Sequence, residues 1–326
     1  MTFPFSIAVH GGPLTSAAEP LSAERDADLR ATLARSVTVG HQILASGGDA
    51  LDAVVASVKV LEDSEYFNAG RGSVLNAKEM VEMDASVMEG KLKQVGSVAG
   101  IRHIKNPIEL AREVMLFSGH SLLAGDGAEA FAFERGYEFS EQDYFFTDHR
   151  YDQLMRLKFA AKGSPTDLDL LALSECDLAE EGKADDPVYG SVGAVALDQH
   201  GNLAAATSSG GVANQRFGRI GDSVMMGAGM LAENDLVAIS SAGPSELLIR
   251  HRVASEIAAR MRYFNEGAKT ASDFVVSRVL KGPESDGGVI AIDHLGEIHS
   301  TLSGAGLYRA SVDIQGKLSI KLFANE

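Results

Sequence analysis

Two segments of the chain have the alternating pattern of β-hairpins, and they restrict the fold more than any other feature. Residues 194–207 (AVALDQHGNLAAAT) alternate on both sides of an Asp-Gln-His-Gly turn. Residues 289–302 (VIAIDHLGEIHSTL) repeat this layout around Asp-His-Leu-Gly. A glycine that closes a short turn between two alternating runs is typical of antiparallel hairpins. We attribute the likeness of the two segments to shared hairpin chemistry and not to a duplicated domain.

Helical periods lie on both sides of these hairpins along the chain. Apolar residues recur at helical spacing in the segments 23–46, 49–62, 107–117, 245–264 and 270–280. Asp49 is placed to cap the second helix, and the Asn-Pro pair at 106–107 is a start signal for the third. The apolar run 5–10 predicts a buried strand that ends at Gly11-Gly12. Helices on either side of antiparallel hairpins predict a layered α/β sandwich and not a doubly wound parallel sheet.

The charge of the chain excludes several classes of partner. The 326 residues include 29 Lys and Arg against 45 Asp and Glu, so the net charge is −16. Proteins that bind nucleic acids or anionic membranes need basic patches, so we expect no nucleic-acid partner and no membrane partner. Hydrophobic residues make up 45% of the chain, which is enough for a large core.

Cysteine content and the N-terminus indicate the compartment. Cys176 is the only cysteine, so no intrachain disulfide and no Cys-rich zinc site can form. The N-terminus, MTFPFSIAVHGG, lacks the charged start of a signal peptide, and no apolar run approaches the ~18 residues of a membrane span. We therefore expect a cytoplasmic protein.

An acidic segment ends abruptly at the dipeptide Gly190-Ser191. Between 163 and 186, eight acidic residues stand against one base, Lys183, which predicts a mobile surface linker over about 163–187. A core-like strand begins directly after it, with Ser191 as its first residue. One interpretation is that glycine and serine only mark the junction between a loop and a strand. The other is that the chain cleaves itself between them.

Cleavage after Gly190 would give Ser191 a free α-amine beside its own hydroxyl. An α-amine has an ordinary pKa of ~7.7–8.0 and can deprotonate the hydroxyl near neutral pH. Gly190 keeps the backbone flexible enough for the hydroxyl to attack the preceding carbonyl. This interpretation divides a single domain, 1–326, into an α chain of residues 1–190 and a β chain of residues 191–326.

The segment GSVGAVALDQHGNLAAATSSGG resembles the nucleophile segment of the plant-type asparaginase/isoaspartyl peptidase family. These are N-terminal nucleophile hydrolases whose precursors cleave themselves. The resemblance continues in family order through IAVHGG, YFNAGRGSV, EMDASVMEG, VGSVAGIRHIKNPIELAREVM, GRIGDS, GGVIAIDHLGE and GLYRA, and so covers nearly the whole chain. It implies an αββα four-layer sandwich, hydrolysis of L-asparagine or β-aspartyl (isoaspartyl) dipeptides, and a two-fold dimer of precursors that becomes an (αβ)2 assembly.

The same resemblance implies a role for each site residue. Ser191 is the nucleophile, Asn68 supports its surroundings, and Ser209 lies where the family has a second hydroxyl. Arg219 binds the α-carboxylate of the substrate, for which a planar guanidinium is suited, and Asp222 receives the α-ammonium group. Spacing alone favours a surface ion pair between Arg219 and Asp222, and the surrounding GRIGDS motif reverses that preference.

Several departures from the family pattern concentrate at the site. The nucleophile and the second hydroxyl are Ser191 and Ser209 where the family has threonine, and the first loop reads HGGPL in place of HGGAG. The family run Thr-Gly-Thr-Gly is Ala242-Gly243-Pro244-Ser245. Ala242 has no hydroxyl to donate to the oxyanion, whereas Gly243 keeps its backbone N–H donor. The resemblance therefore implies a slow enzyme.

A further likeness concerns a metal ion. The run 61–71 resembles the family loop that binds a structural sodium ion through backbone carbonyls. The implied ligands are Leu61, Glu62, Ser64, Phe67, Ala69 and Arg71. No cofactor is expected for catalysis.

Three functions remain open on the sequence alone. The first is an autoprocessing amidohydrolase, and the second is a family hydrolase with an altered substrate preference. The third is a non-catalytic family member with a binding or structural role. The retention of Arg219, Asp222, Asn68 and a hydroxyl at position 191 argues against the third.

Overall fold

The computed structural model describes residues 4–14, 21–161, 189–282 and 285–326, which form helices packed on two β-sheets. The strands are β1 Ser6–Leu14, β2 Met83–Glu89, β3 Val95–Ile101, β4 Leu122–Ala124, β5 Val192–Leu197, β6 Leu203–Ser209, β7 Met230–Glu233, β8 Val237–Ala242, β9 Gly287–Asp293, β10 Ile298–Ser303, β11 Gly306–Val312 and β12 Leu318–Phe323. The α-helices are α1 Ala23–Ala45, α2 Ala50–Glu62, α3 Pro107–Phe117, α4 Gly125–Glu134, α5 Asp148–Ala161, α6 Ser245–His251, α7 Val253–Phe264 and α8 Ala268–Val279. Short 3-10 helices lie at Gly70–Gly72, Gln142–Tyr144 and Asp222–Val224.

The two sheets are almost entirely antiparallel. The larger sheet has eight strands in the order β12-β11-β1-β5-β6-β2-β3-β4, and the smaller has four in the order β10-β9-β8-β7. Only β3 and β4 pair in parallel among the described strands. Both predicted hairpins are confirmed, as β5 pairs with β6 and β9 with β10. Because β5 lies inside the larger sheet, Ser191, which directly precedes β5, is buried in the fold.

The sheets face each other, and helices cover the outer face of each. Helices α1 to α3 pack on the larger sheet through side chains such as Val54, and α7 and α8 pack on the smaller one through side chains such as Ile257. Between the sheets lie mostly small or unbranched residues, including Ala205, Ala238 and Met230. Removal of these apolar faces from water is the dominant favourable term in folding. The predicted αββα sandwich is confirmed.

Strand β1 extends further than the sequence predicts. It continues through Gly11-Gly12 to Leu14 instead of ending at His10. Its register against β11 shifts between His10 and Pro13, and Gly12 has a φ of +97°. A β-bulge with a positive φ is a conformation that glycine adopts without steric cost. The two glycines therefore bend the strand and do not end it.

One predicted helix is divided in two, and one helix cap differs from the sequence-based prediction. The segment 245–264 forms two helices, because Arg252 adopts a left-handed φ of +47° between them. Asp49 precedes α2 as predicted, but its side chain makes no capping hydrogen bond. Asp198 from the β5–β6 turn accepts the N–H of Ala50 instead, at 3.1 Å. A distant carboxylate thus caps α2 and ties it to the hairpin.

The predicted acidic linker, 163–187, lies outside the described residues, and so does Cys176. The description resumes at Tyr189, so the junction between Gly190 and Ser191 can be followed. Within the described ranges, no helix combines the length and the apolarity needed to cross a membrane.

Candidate active site

Ser191 lies between the two sheets, immediately before β5, and is only 4% exposed. Its Oγ donates a hydrogen bond to the carbonyl of Ser241 at the end of β8, 3.0 Å away. Gly190 has a φ of +128°, and a Cβ at this position would lie 2.8 Å from Cδ of Pro13. Glycine alone adopts this conformation in this space without strain. The backbone conformation at position 190 therefore requires glycine.

His10 is a buried neighbour of Ser191 that the sequence did not indicate. It pairs with Gly193 across β1 and β5, and its Nε2 lies 2.8 Å from Oγ of Ser240. Complete burial lowers the pKa of His10 to about 3, although the backbone of Ser191 acts in the opposite direction. The imidazole is therefore neutral at physiological pH and a weak base. In the sequence, only the position of His10 directly before Gly11 and Gly12 could have indicated a role for it.

Ser209 ends β6 beside the nucleophile. The register pairs Val192 with Ser208, and one further step along the two strands places Ser209 opposite Ser191. The Oγ of Ser209 accepts the N–H of Gly211 at 3.0 Å. The hairpin thus brings the second predicted hydroxyl next to the first.

Asn68 holds the glycine pair that follows Ser209. Its Nδ2 donates to the carbonyl of Gly211 at 2.8 Å, and its Oδ1 accepts the N–H of Val74 at 2.9 Å. Its backbone carbonyl also accepts the N–H of Gly210, at 2.9 Å. Two of these three hydrogen bonds hold the glycine pair that follows Ser209, and the third ties Asn68 to Val74.

The guanidinium of Arg219 holds the carboxylate of Glu246, in the first turn of α6. Nε lies 3.1 Å from Oε1, and Nη2 lies 2.9 and 3.1 Å from Oε1 and Oε2. The side chain of Arg219 is 17% exposed and that of Glu246 is 61% exposed. The ion-pair partner of Arg219 is therefore Glu246 and not Asp222. Its geometry is close to the bidentate pairing by which arginine binds carboxylates.

Asp222 lies fully buried close to this pair. Its Oδ1 accepts a hydrogen bond from Oγ of Ser245 at 2.5 Å, whereas Oδ2 has no hydrogen-bond partner among the described residues. Burial raises the pKa of Asp222 to about 6, against the lowering effects of Ser245 and Arg219. An unpartnered buried carboxylate oxygen is costly. A cationic ligand would satisfy it.

A second buried carboxylate, Asp84, fixes the loop between Arg219 and Asp222. Its Oδ2 accepts the N–H of Gly221 at 3.0 Å, and its Oδ1 accepts the N–H of Gly100 at 2.9 Å. Burial raises its pKa to about 6 as well, while these hydrogen bonds and Arg219 oppose the shift. Asp84 belongs to the motif EMDASVMEG, so the sequence contained it without indicating its role.

The end of β8 has alanine where the family has threonine, and the two neighbouring serines do not supply the missing hydroxyl. Ala242 is fully buried and shares the inter-sheet face with Ala238. Side chains alternate along a strand, so Ser241 points to the opposite face, and the hydroxyl of Ser245 is bonded to Asp222. Gly243 has a φ of +154°, which favours glycine. Neither neighbouring serine therefore replaces the lost donor.

The conformation of the loop 61–71 bears on the sodium ion that the family resemblance implies. The carbonyls of Leu61, Phe67 and Ala69 each accept one N–H within the loop, which leaves each oxygen a second lone pair. A Cβ at Gly70 would collide with the carbonyl of Glu62, and one at Gly72 with that of Phe67. Backbone oxygens thus crowd a tightly wound loop, and oxygen ligands suit a hard cation. The residues present fit a sodium ion.

A four-layer αββα sandwich with a buried hydroxyl at the head of a central strand defines an N-terminal nucleophile hydrolase fold. The sequence pattern of the family described as Asparaginase matches residues 3–320, and the chain therefore belongs to this family. The isoaspartyl peptidase of Escherichia coli (strain K12) is 42% identical over 304 residues, which cover 93% of this chain and 91% of that protein. The isoaspartyl peptidase/L-asparaginase of Mus musculus is 39% identical over 315 residues, which cover 96% of this chain and 89% of that protein. The family predicted from the motifs is confirmed.

Proposed function

We propose that this chain is an autoprocessing amidohydrolase that hydrolyses L-asparagine, β-aspartyl (isoaspartyl) dipeptides or both, with Ser191 as its N-terminal nucleophile. One observation carries the proposal: the segment 241–246 contacts three residues to which the family resemblance assigns the roles of nucleophile, ammonium acceptor and carboxylate-binding residue. Its members bond in turn to Ser191, Asp222 and Arg219. The names of the relatives, isoaspartyl peptidase and L-asparaginase, support this reaction class.

Self-cleavage begins when Oγ of Ser191 attacks the carbonyl carbon of Gly190. The peptide C–N bond breaks, the nitrogen takes a proton to become the α-amine of Ser191, and the glycyl group is left as an ester on Oγ. Water then hydrolyses the ester, releases the carboxylate of Gly190 and restores the hydroxyl. The positive φ of Gly190 and the hydrogen bond from Oγ to Ser241 support this attack.

Turnover repeats this chemistry on an external amide. The α-amine of Ser191 takes the proton of its own hydroxyl, and Oγ attacks the side-chain carbonyl of the substrate. An aspartyl ester forms, and ammonia, or the amine of the second residue of a dipeptide, leaves with the proton. Water hydrolyses the ester. The N–H of Gly243 remains as an oxyanion donor, while Ala242 provides none, so the ester-forming step is slow.

The substrate binds through its α-substituents. Its carboxylate takes the place that Glu246 occupies on Arg219, and the exposure of Glu246 makes this exchange feasible. Its ammonium group meets the unpartnered Oδ2 of Asp222. Opposite charges at two fixed points orient the substrate, so that its side-chain amide is directed to the nucleophile.

The changes at Ala242 and Pro244 favour one alternative, a family hydrolase with a different substrate preference. Both residues lie between the nucleophile contact at Ser241 and the Asp222 contact at Ser245. The enzyme would then hydrolyse an amide with a different leaving group faster than it hydrolyses L-asparagine or a β-aspartyl dipeptide. Turnover rates on these different amides distinguish the two functions.

Three further properties belong to the same proposal. The loop 61–71 binds a structural sodium ion through the carbonyls named above, and catalysis needs no cofactor. The family resemblance supports a homodimer of precursors that matures to an (αβ)2 assembly. The single cysteine of the chain supports a cytoplasmic location.

Intact mass spectrometry of purified, aged protein tests the proposal. We expect two fragments with the new N-terminus at Ser191, and an uncleaved chain for Ser191→Ala. Release of aspartate from L-asparagine and from a β-aspartyl dipeptide then measures turnover. Cleavage of the Ser191→Ala variant at the same bond would refute the mechanism. Cleaved protein without turnover would favour the altered preference, and a permanently intact chain would favour a non-catalytic role.

A further inference from the structure

The β9–β10 hairpin carries three potential metal ligands on one face. The register pairs Ala291 with His299, and the N–H of Asp293 donates to the carbonyl of Glu297 across the turn. Asp293 and Glu297 therefore lie opposite each other, and His299 lies diagonally across from Asp293. Side chains at these alternating positions project from the same side of the hairpin.

The ligand atoms of these residues lie close to one another, at separations somewhat wider than a shared ion requires. Nε2 of His299 lies 3.7 Å from Oδ2 of Asp293 and 4.0 Å from Oε2 of Glu297. One ligand atom from each residue lies within 4.8 Å of the others. These separations exceed a hydrogen bond of ~2.7–3.2 Å. Two ligands at about 2.0–2.1 Å from one ion in tetrahedral geometry lie about 3.3–3.4 Å apart, so the three side chains must draw together to bind it.

Asp293 is held in position by the turn. Its Oδ1 accepts the N–H groups of Leu295 and Glu297 at 2.9 and 3.0 Å, which leaves Oδ2 directed to His299. The side chains of Asp293 and His299 are 14% and 17% exposed, whereas that of Glu297 is 65% exposed. Hydrogen bonds therefore fix Asp293, His299 is largely buried, and Glu297 is exposed enough to move toward them.

We propose that Asp293, Glu297 and His299 bind one divalent transition-metal ion, for which Zn²⁺ is the best match. One imidazole nitrogen and two carboxylates suit Zn²⁺ and its neighbours in the first transition row, whereas Mg²⁺ and Ca²⁺ prefer oxygen ligands alone. Water fills the remaining positions. Asp273 of α8 lies near His299, but its carboxylate already accepts hydrogen bonds from Lys269 and Thr301, so it is not a further ligand.

The site is separate from the active site. In the β8–β9 pairing, Asp293 is opposite Val237, whereas Gly288 is opposite Ala242 at the other end of the strands. Five residues of strand correspond to about 17 Å. The ion therefore has no part in the reaction and ties the turn of the β9–β10 hairpin together.

Zinc titration by isothermal calorimetry tests the proposal. The full-length protein is freed of metal with EDTA and kept in NaCl, so that the loop 61–71 is saturated. We expect one Zn²⁺ per chain, an affinity at least tenfold lower for His299→Ala, and an affinity within twofold of the wild type for His294→Ala. His294 is an exposed histidine of the same turn and serves as the matched control.

Glu297→Ala provides a second variant that does not depend on buried contacts. We expect it to weaken Zn²⁺ binding, and we expect Zn²⁺ to raise the melting temperature of the wild type but not of His299→Ala. Mg²⁺ should not raise the melting temperature of either protein. Absence of a one-to-one site, or equal affinity in wild type and His299→Ala, would overturn the proposal and leave only an electrostatic contact between His299 and Asp293.

Discussion

The replacement Ala242→Thr restores the hydroxyl that the end of β8 lacks, and we predict that it accelerates turnover. Ala242 directly follows the carbonyl that accepts the hydrogen bond of Ser191, and its methyl lies on the inter-sheet face. A hydroxyl at this position would point to the same space as the nucleophile. The neighbouring serines do not compete for this role, since one faces the helices and the other bonds to Asp222.

The magnitude follows from the number of oxyanion donors. Loss of one of them typically lowers kcat by about 10²–10³. A threonine in a space packed around alanine recovers only part of that geometry, because Ala242 is fully buried and added atoms in a close-packed core cost about 1–3 kcal/mol of stability. We therefore expect a rise in kcat of at least about tenfold, which corresponds to ~1.4 kcal/mol of barrier.

The matched control is Ala242→Val, which has the shape of threonine without its hydroxyl. Both variants are assayed on L-asparagine and on a β-aspartyl dipeptide, with rates normalised to the amount of chain that begins at Ser191. Thermal unfolding checks that the two variants are equally destabilised. If Thr and Val give the same kcat, another group already fills the oxyanion site and the argument from the missing donor is wrong.

Three further predictions concern the nucleophile and the substrate-binding pair. Ser191→Thr should speed self-cleavage, because the added methyl restricts χ1 and holds the hydroxyl near the scissile carbonyl; a slower time course by mass spectrometry would contradict this. Arg219→Lys should raise KM at least about tenfold with little change in melting temperature, since the charge stays and the bidentate geometry is lost; an unchanged KM would show that Arg219 is structural. Since burial raises the pKa of Asp222 to about 6, kcat/KM should fall as the pH drops through 6 and the ammonium acceptor becomes protonated. Between about pH 4 and pH 6 the folded state then binds more protons than the unfolded state, so the free energy of unfolding should fall as the pH rises through that window. Urea titrations at several pH values measure this dependence, and Asp222→Asn should weaken it.

The layered architecture could be predicted from local patterns, because its hairpins and helices each have their own periodicity. The errors fall where tertiary contacts override local signals. Gly11-Gly12 end an apolar run in the sequence, yet β11 continues to pair beyond them. Asp49 is a suitable cap, yet Asp198 reaches the first free N–H of α2. Neither partner is visible within the local sequence.

Only part of the candidate site could be predicted from the sequence, because some of its residues depend on partners that are distant along the chain. Arg219, Asp222 and Ser191 belong to motifs whose order in the chain indicates their role. His10, Asp84 and Glu246 act through partners at least 16 residues distant along the chain, and the partners of His10 and Glu246 are 230 and 27 residues away. Their side chains carry no spacing signal, since tertiary contacts between distant parts of the chain bring them together.

The departures from the family pattern divide the site into two parts with different consequences. In the proposed mechanism, Arg219 and Asp222 act on the bound substrate and on its transition state alike. In the same mechanism, Ser191 and Ala242 act on the ester-forming step, where charge develops only in the transition state. A change limited to this step lowers kcat and leaves KM as it was. A low kcat with an ordinary KM for asparagine would therefore support the slow amidohydrolase, whereas a greatly raised KM would show that the pocket is built for another substrate.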